Sequence, residues 1–254
     1  MEMKSIISFL FLLQPMINVV NLSMAKVQPE NNIYKCRNTG NYTTANYEKN
    51  LMSALDGVAN NIAAHKGFYH SSSGANEPVN AVGLCPGYIT PDNCALCVRN
   101  SIILLRSNCQ KQKEGVTWIS TCMVRYSDRK ILGVLDDWVW VHLPDPRTVA
   151  RVREMDQALF KLATRLQAQV AGGSSLQKFA YGQLKYAPDS IANNTLYAAM
   201  QCTPDLSKLL CTKCLLSIML TVTACCSGKV SAAMLSPNCY LRYDHDKFDK
   251  NPVT

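Results

Sequence analysis

The chain has 254 residues, 48% of them apolar and 17% charged, which is material for one large or two smaller packed cores and excludes wholesale disorder. Its formal net charge of +8 comes from lysines and arginines scattered along the chain rather than gathered into a stripe, so nucleic-acid binding has no support. Twelve cysteines are too many for an ordinary reduced cytosolic protein and point to an oxidising compartment or to metal.

In chain order, Met1-Glu2-Met3-Lys4 precede an apolar run, Ser5 to Leu13, broken only by two serines. This pattern predicts a secretory signal peptide, and the small residues Ser23 and Ala25 place the cleavage after Ala25. Tyr47, Leu51, Leu55, Val58 and Ile62, at steps of three and four, predict an amphipathic helix over 44–65. After a loop, Val79 to Cys85 suits a strand, Thr90-Pro91-Asp92 starts a second helix running to about Ser107, and Gly115 to Ser127 reads as strands. Segment 128–144, with its alternating Trp138-Val139-Trp140-Val141, predicts a last strand plus a linker, with a boundary near Leu143-Pro144.

The same order then repeats. Asp145-Pro146 predicts an N-cap and first helical residue, and Val149, Val152, Leu159, Leu162 and Leu166 carry the stripe to about Val170. Leu196 to Cys202 suits a strand, Thr203 to Val222 a helix, and Lys229 to Tyr243 closing strands. The fold class is therefore α+β: two tandem disulfide-rich modules, each two helices packed on an antiparallel β-sheet. No later segment carries 18 consecutive apolar residues and the chain ends in the polar Lys247 to Thr254, so the expectation is an exported protein with no membrane span.

Cysteine spacing states the repeat most sharply. Cys85, Cys94, Cys97, Cys109 and Cys122 recur as Cys202, Cys211, Cys214, Cys226 and Cys239, each 117 residues on, and each run ends in C-x-x-R-Y. At that offset Arg153 stands where Cys36 would recur, and Cys225 has Asn108 as its counterpart. The C-x-x-C pairs Cys94/Cys97 and Cys211/Cys214 fall inside predicted helices, where spacing of three puts both sulfurs on one face. They suit zinc, a redox dithiol or disulfide halves. The four histidines, His65, His70, His142 and His245, show no ligand spacing, and a thioredoxin-like site would need a strand-to-helix turn. Structural disulfides are the reading taken, with no metal and no cofactor expected.

The pattern C-x8-C-x2-C, continued by x11-C-x12-C and ending in C-x-x-R-Y, resembles the stress-antifungal module, also called the ginkbilobin-homologous domain. Two such modules behind a signal peptide resemble the plant cysteine-rich repeat secretory proteins, a likeness that covers nearly all of residues 30–248. It divides the chain into a signal peptide at 1–25, a first domain at 30–143, a second at 144–248 and a tail at 249–254. The resemblance implies pairing of Cys36 with Cys109, Cys85 with Cys94 and Cys97 with Cys122, then of Cys202 with Cys211 and Cys214 with Cys239. Cys225 and Cys226 are left over, as a vicinal disulfide, as thiols or as a crosslink to another chain.

The resemblance also implies a place for mannose, held by an Asn after the first cysteine, an Arg six residues before the last and a Glu five residues after it. Here those positions hold Arg37, Val116 and Ser127 in the first copy. In the second copy the first position has no cysteine to align it, the Arg position is Ala233 and the Glu position is Asp244. Asp244 alone keeps a carboxylate and is the candidate ligand contact. Trp138, Trp140 and Tyr126 are candidates for stacking on a sugar, against burial between module faces.

No catalytic residues are assigned: G-x-S-x-G, H-E-x-x-H, P-loop and Rossmann patterns are absent, and Asp136-Asp137 and Asp244/Asp246 give no glycosidase separation. His142 and His245 read as surface residues. Asn41 and Asn193 head N-glycosylation sequons; Asn21 also matches but falls in the signal peptide. The reading is a secreted, non-enzymatic binding protein of plant defence or stress in the apoplast, partnered by a cell-wall or microbial glycan or by a related receptor ectodomain. The alternatives are a thiol sensor built on Cys225/Cys226 and a structural protein that homodimerises through a shared sheet.

Overall fold

A computed structural model describes residues 33–119, 122–173, 178–187 and 194–247. The expected signal peptide, Asn193 and the C-terminal tail lie outside the described residues. The first module runs β1 (Ile33–Asn41), α1 (Ala45–Asn61), β2 (Phe68–Ser73), β3 (Val79–Leu84), α2 (Pro91–Asn108), β4 (Gln112–Ile119) and β5 (Cys122–Ser127). The second runs β6 (Val141–Pro144), α3 (Val152–Gly172), β7 (Phe179–Lys185), β8 (Thr195–Cys202), α4 (Lys208–Cys226), β9 (Ala232–Leu235) and β10 (Cys239–Asp244). Their antiparallel sheets share one strand order, β1-β4-β5-β3-β2 and β6-β9-β10-β8-β7.

Local chemistry accounts for the helix ends. The Thr44 hydroxyl accepts from the Tyr47 N–H at 3.0 Å to start α1, Thr90 followed by Pro91 starts α2, and the Ser207 hydroxyl accepts from the Leu210 N–H at 3.2 Å to start α4. Asp145 does not cap α3. Val141–Pro144 is taken into the sheet opposite Ala232–Leu235, so Asp145 follows a strand and its carboxylate folds onto the backbone and guanidinium of Arg147 at 2.7–2.9 Å. The helix starts later, at Val152, with no side-chain cap. Val141, the end of the alternating Trp-Val segment, thus opens the first strand of the second sheet, and the segment adds no last strand to the first.

Structure also corrects the alignment of the copies. Tyr47, Leu51, Val58 and Ile62 of the first core correspond to Met155, Leu159, Leu166 and Val170, 108 residues apart, whereas the later strands keep the offset of 117. Cys36 pairs across the sheet with Gly115, and Pro144 with Ala232, its counterpart. Pro144, not Arg153, therefore stands in the place of Cys36.

Each helix pair covers one face of its sheet, and disulfides staple the layers: Cys36–Cys109, Cys85–Cys94 and Cys97–Cys122 in the first module, Cys202–Cys211 and Cys214–Cys239 in the second. Cys225–Cys226 is a vicinal bridge. Helix α4 is long and apolar enough to cross a membrane, but here it is a core helix, burying Cys211, Leu215, Ile218 and Val222 against its sheet. The helix-free faces of the two sheets turn towards each other. Leu84, Val116, Trp118 and Met123 of the first join Val141, Leu143 and Leu235 of the second, and the Gln201 side-chain amide donates to the Cys85 carbonyl at 3.2 Å.

Segment 128–140 closes the remaining part of the first sheet with apolar Ile131, Leu132, Trp138 and Val139 and with a charge network. Glu114, 2% exposed on β4, accepts from Arg129 Nε and Nη2 at 2.8 and 2.7 Å and lies 3.5 Å from Arg37. Asp136 sits among Arg37, Arg125 and Arg129 at 3.5–3.8 Å. Burial alone would raise the Glu114 carboxyl, but the Arg129 hydrogen bonds and the charges of Arg129 and Arg37 outweigh it and hold the group below its ordinary 4.5. A depressed carboxyl stabilises the fold above its unfolded value and loses that contribution as pH falls through the folded one. We therefore expect Glu114→Gln to cost about 1–3 kcal/mol near neutral pH. Urea titrations of both proteins should show the gap narrowing below pH 4.5; a gap that stays constant with pH would show that Glu114 ionisation contributes nothing.

Candidate ligand site between the modules

Along β10, Leu241 and Tyr243 turn into the helix-covered core, so alternation sends Tyr240, Arg242 and Asp244 to the opposite face, towards the first module. The two sheets do not close completely there. They leave a cavity of about 350 Å³, within the size range of small-ligand sites. The first module contributes Leu84, Trp118 and Met123 from its sheet and Tyr88 from the loop before α2. The second contributes Ala233, Tyr240, Arg242 and Asp244.

The lining combines apolar side chains with a few polar groups. Arg242 Nη2 lies 3.8 Å from Asp244 Oδ2, and the Arg242 side chain is hydrogen-bonded with Tyr88. Burial raises the Tyr88 hydroxyl while Arg242 opposes the rise. Tyr240 is pushed well above its usual value by burial, so its phenol keeps its proton as a donor. That hydroxyl is shielded from solvent and has no hydrogen-bond partner in the walls.

The positions implied by family resemblance have different fates in the two copies. In the first, Arg37 lies under the Trp138 ring at 5.4 Å and is tied to Glu114 and Asp136; Val116 is buried in the seam, and the Ser127 hydroxyl accepts from the Arg129 N–H at 2.9 Å. Its own linker fills that place. In the second, Ala233 and Asp244 both line the cavity, and cross-strand pairing sets Arg242 directly opposite Ala233. A guanidinium is thus supplied from the neighbouring strand. The counterpart of Arg37 is Asp145, whose carboxyl is lowered to about 2 by its hydrogen bonds from Arg147.

Of the other candidates, Tyr126 is buried in the first core with its hydroxyl donating to the Gln112 carbonyl at 3.0 Å, and Trp140 packs on the second core. His245 is buried rather than superficial: one ring nitrogen lies 2.8 Å from the Tyr186 hydroxyl and the other 2.6 Å from the Val230 carbonyl. Asn41 is exposed at the end of β1, with its side-chain oxygen accepting from Gln112 at 2.7 Å. Among the described residues, no three His, Cys, Asp or Glu side chains are arranged to hold a metal. Tyr88, Trp118, Tyr240 and Arg242 escaped the sequence reading. The alternation Tyr240-Leu241-Arg242-Tyr243-Asp244 carried the signal for two of them, but only the meeting of the sheets shows which face is open.

The profile of the family described as salt stress response/antifungal matches residues 35–129 and 148–246. The chain belongs to that family. It is 29% identical over 241 residues to the Arabidopsis thaliana cysteine-rich repeat secretory protein 38, covering 92% of this chain and 93% of that protein. It is 34% identical over 220 residues to the A. thaliana cysteine-rich receptor-like protein kinase 14, covering 83% of this chain but only 32% of the kinase. The chain thus spans about a third of that receptor's length. The crystal structure of the tandem DUF26 ectodomain from the A. thaliana cysteine-rich receptor-like protein PDLP8 superposes with a TM-score of 0.70 at 19% identity, over 84% of this chain and 96% of that one. This family of secreted-type repeat proteins and extracellular ectodomains is not a known enzyme family. The family description places the chain in a stress-related class.

The orphan hydroxyl gives a direct check of the cavity. Tyr240→Phe removes a buried unpaired donor, whose burial costs about 1–3 kcal/mol, so the variant should equal or exceed the parent in stability by that order. Equilibrium denaturation measures it, and a loss above about 1 kcal/mol would mean that the hydroxyl has a fixed partner.

Proposed function

We propose that this protein is exported to the plant apoplast and acts there as a non-catalytic recognition protein that takes a terminal sugar of a cell-wall or microbial glycan into the cavity between its modules. The observation that carries this reading is the Arg242–Asp244 pair beside Ala233, at the second copy's inherited position, in a cavity also lined by Tyr88, Trp118 and Tyr240. A pyranose has apolar faces and a rim of hydroxyls. The rings and apolar residues suit the faces, while the guanidinium donates and the carboxylate accepts at the rim. Ligand binding would draw on both modules, so it would depend on their mutual packing.

A glycan array with the secreted protein, followed by calorimetry on the hits, tests the reading. We expect Asp244→Asn and Arg242→Gln each to weaken binding at least tenfold, about 1.4 kcal/mol, with the fold unchanged. A folded protein that binds no glycan, or variants that bind as tightly as the parent, would overturn it.

A further inference from the structure

Five of the six disulfides span sequence separations of 9, 25 or 73 residues and join different elements of a module. The sixth joins neighbours, Cys225 and Cys226, in the last turn of α4. A crosslink between adjacent residues encloses no chain, so by loop-closure reasoning it takes almost nothing from the unfolded ensemble and adds almost nothing to stability.

The surroundings of the pair hold without it. The Cys226 carbonyl accepts from the Tyr243 hydroxyl at 2.9 Å and from the Lys229 N–H at 3.2 Å. Asp156 of α3 accepts from the Ser227 hydroxyl at 2.5 Å and the Gly228 N–H at 3.0 Å. Gly228 has φ +67°, and a Cβ there would come within 2.8 Å of Val152, so the turn is set by glycine and by Asp156. In the first module the counterpart of Cys226, Cys109, reaches Cys36 on the edge strand. In the second the edge position is Pro144, which offers no sulfur. Cys226 is fully buried, with its sulfur 3.9 Å from that of Met234, while Cys225 is only partly buried. Neighbouring residues on a helix face different ways, so an opened pair would keep Cys226 in the core and leave Cys225 towards solvent.

We propose that Cys225–Cys226 is a reducible site, opened by an external dithiol of the thioredoxin class while the other five bridges stay closed. A thiolate of the dithiol attacks the Cys225 sulfur, the Cys225–Cys226 bond breaks, and Cys226 leaves and takes up a proton. The second thiol of the reductant, deprotonated, then attacks its own sulfur in the mixed disulfide and releases Cys225, which is protonated in turn. Two electrons pass to the protein, and the dithiol becomes a disulfide. The product is one solvent-facing thiol above one core thiol, within an otherwise intact module.

The test titrates the folded, oxidised protein with dithiothreitol, blocks thiols with N-ethylmaleimide and maps the labelled peptides. We expect Cys225 and Cys226 to be labelled at a dithiol concentration at least tenfold below that needed for any other cysteine. Another bridge opening first, or all six opening together, would overturn the proposal. The double variant Cys225→Ala/Cys226→Ala, which buries no new hydroxyl, should melt within about 4 °C of the parent, whereas Cys97→Ala/Cys122→Ala should fall by roughly 5–15 °C. A fall of that larger size in the Cys225/Cys226 variant would make the vicinal bridge structural and would equally sink the idea.

Discussion

A five-stranded sheet with two helices on one side has a second side that must also leave water, and most of this structure follows from how that side is covered. In the first module Leu84, Val116, Trp118 and Met123 project from the helix-free face. Leaving them exposed would forgo about 1.5–3 kcal/mol for each large side chain. The second module brings a sheet with the same problem, and Leu143 and Leu235 meet them. Pairing the bare faces solves both problems at once, which is why the two copies are packed together rather than strung on a free linker.

Where two twisted sheets meet, contact is good along one band and opens away from it. The first sheet's exposed remainder is closed by segment 128–140, held through Glu114 and Asp136 to three arginines. Arg125, 4% exposed, also donates to the Ile131 carbonyl at 3.0 Å, so charge and chain path specify each other. Buried ion pairs are poor sources of net stability but penalise wrong arrangements severely. Here they fix where the linker lies, and therefore which part of the seam stays open.

Much of this was legible in the sequence, for reasons that can be named. Cysteines at one offset exposed the duplication, and Leu51, Leu55 and Val58, with Leu159, Leu162 and Leu166, exposed the helices, because each pattern reports burial on one face. The edge strands did not announce themselves. β2 reads Phe-Tyr-His-Ser-Ser-Ser and β1 carries Lys35 and Arg37, since an edge strand with one half-covered face needs little apolar alternation. Arg153 shows a similar limit: no single offset runs through a whole module, because the connection between the helix and the central strands is nine residues longer in the second copy, as the offsets of 108 and 117 show. The cavity was illegible in principle, because its two walls are remote in sequence and are related only by the packing of modules.

Duplication explains the asymmetry between the copies. Two identical modules packed face to face place two equivalent patches in or beside one seam, and a single connecting segment can lie over only one of them. Arg37, Val116 and Ser127 lie under or beside that segment and have become packing residues, with Arg37 stacked beneath Trp138 and paired to carboxylates. The corresponding face of the second copy keeps polar side chains at the seam, but its arginine comes from position 242 rather than 233. The staples show the same division. The first copy holds its edge strand by Cys36–Cys109, while in the second the edge is held by pairing with β9 and by hydrogen bonds between 145–149 and 228–231, so Cys226 has no structural partner across the sheet. In both respects the residues of the first copy hold the assembly together, whereas the second copy keeps its charged side chains on the cavity wall and closes its unpaired core cysteine onto a chain neighbour.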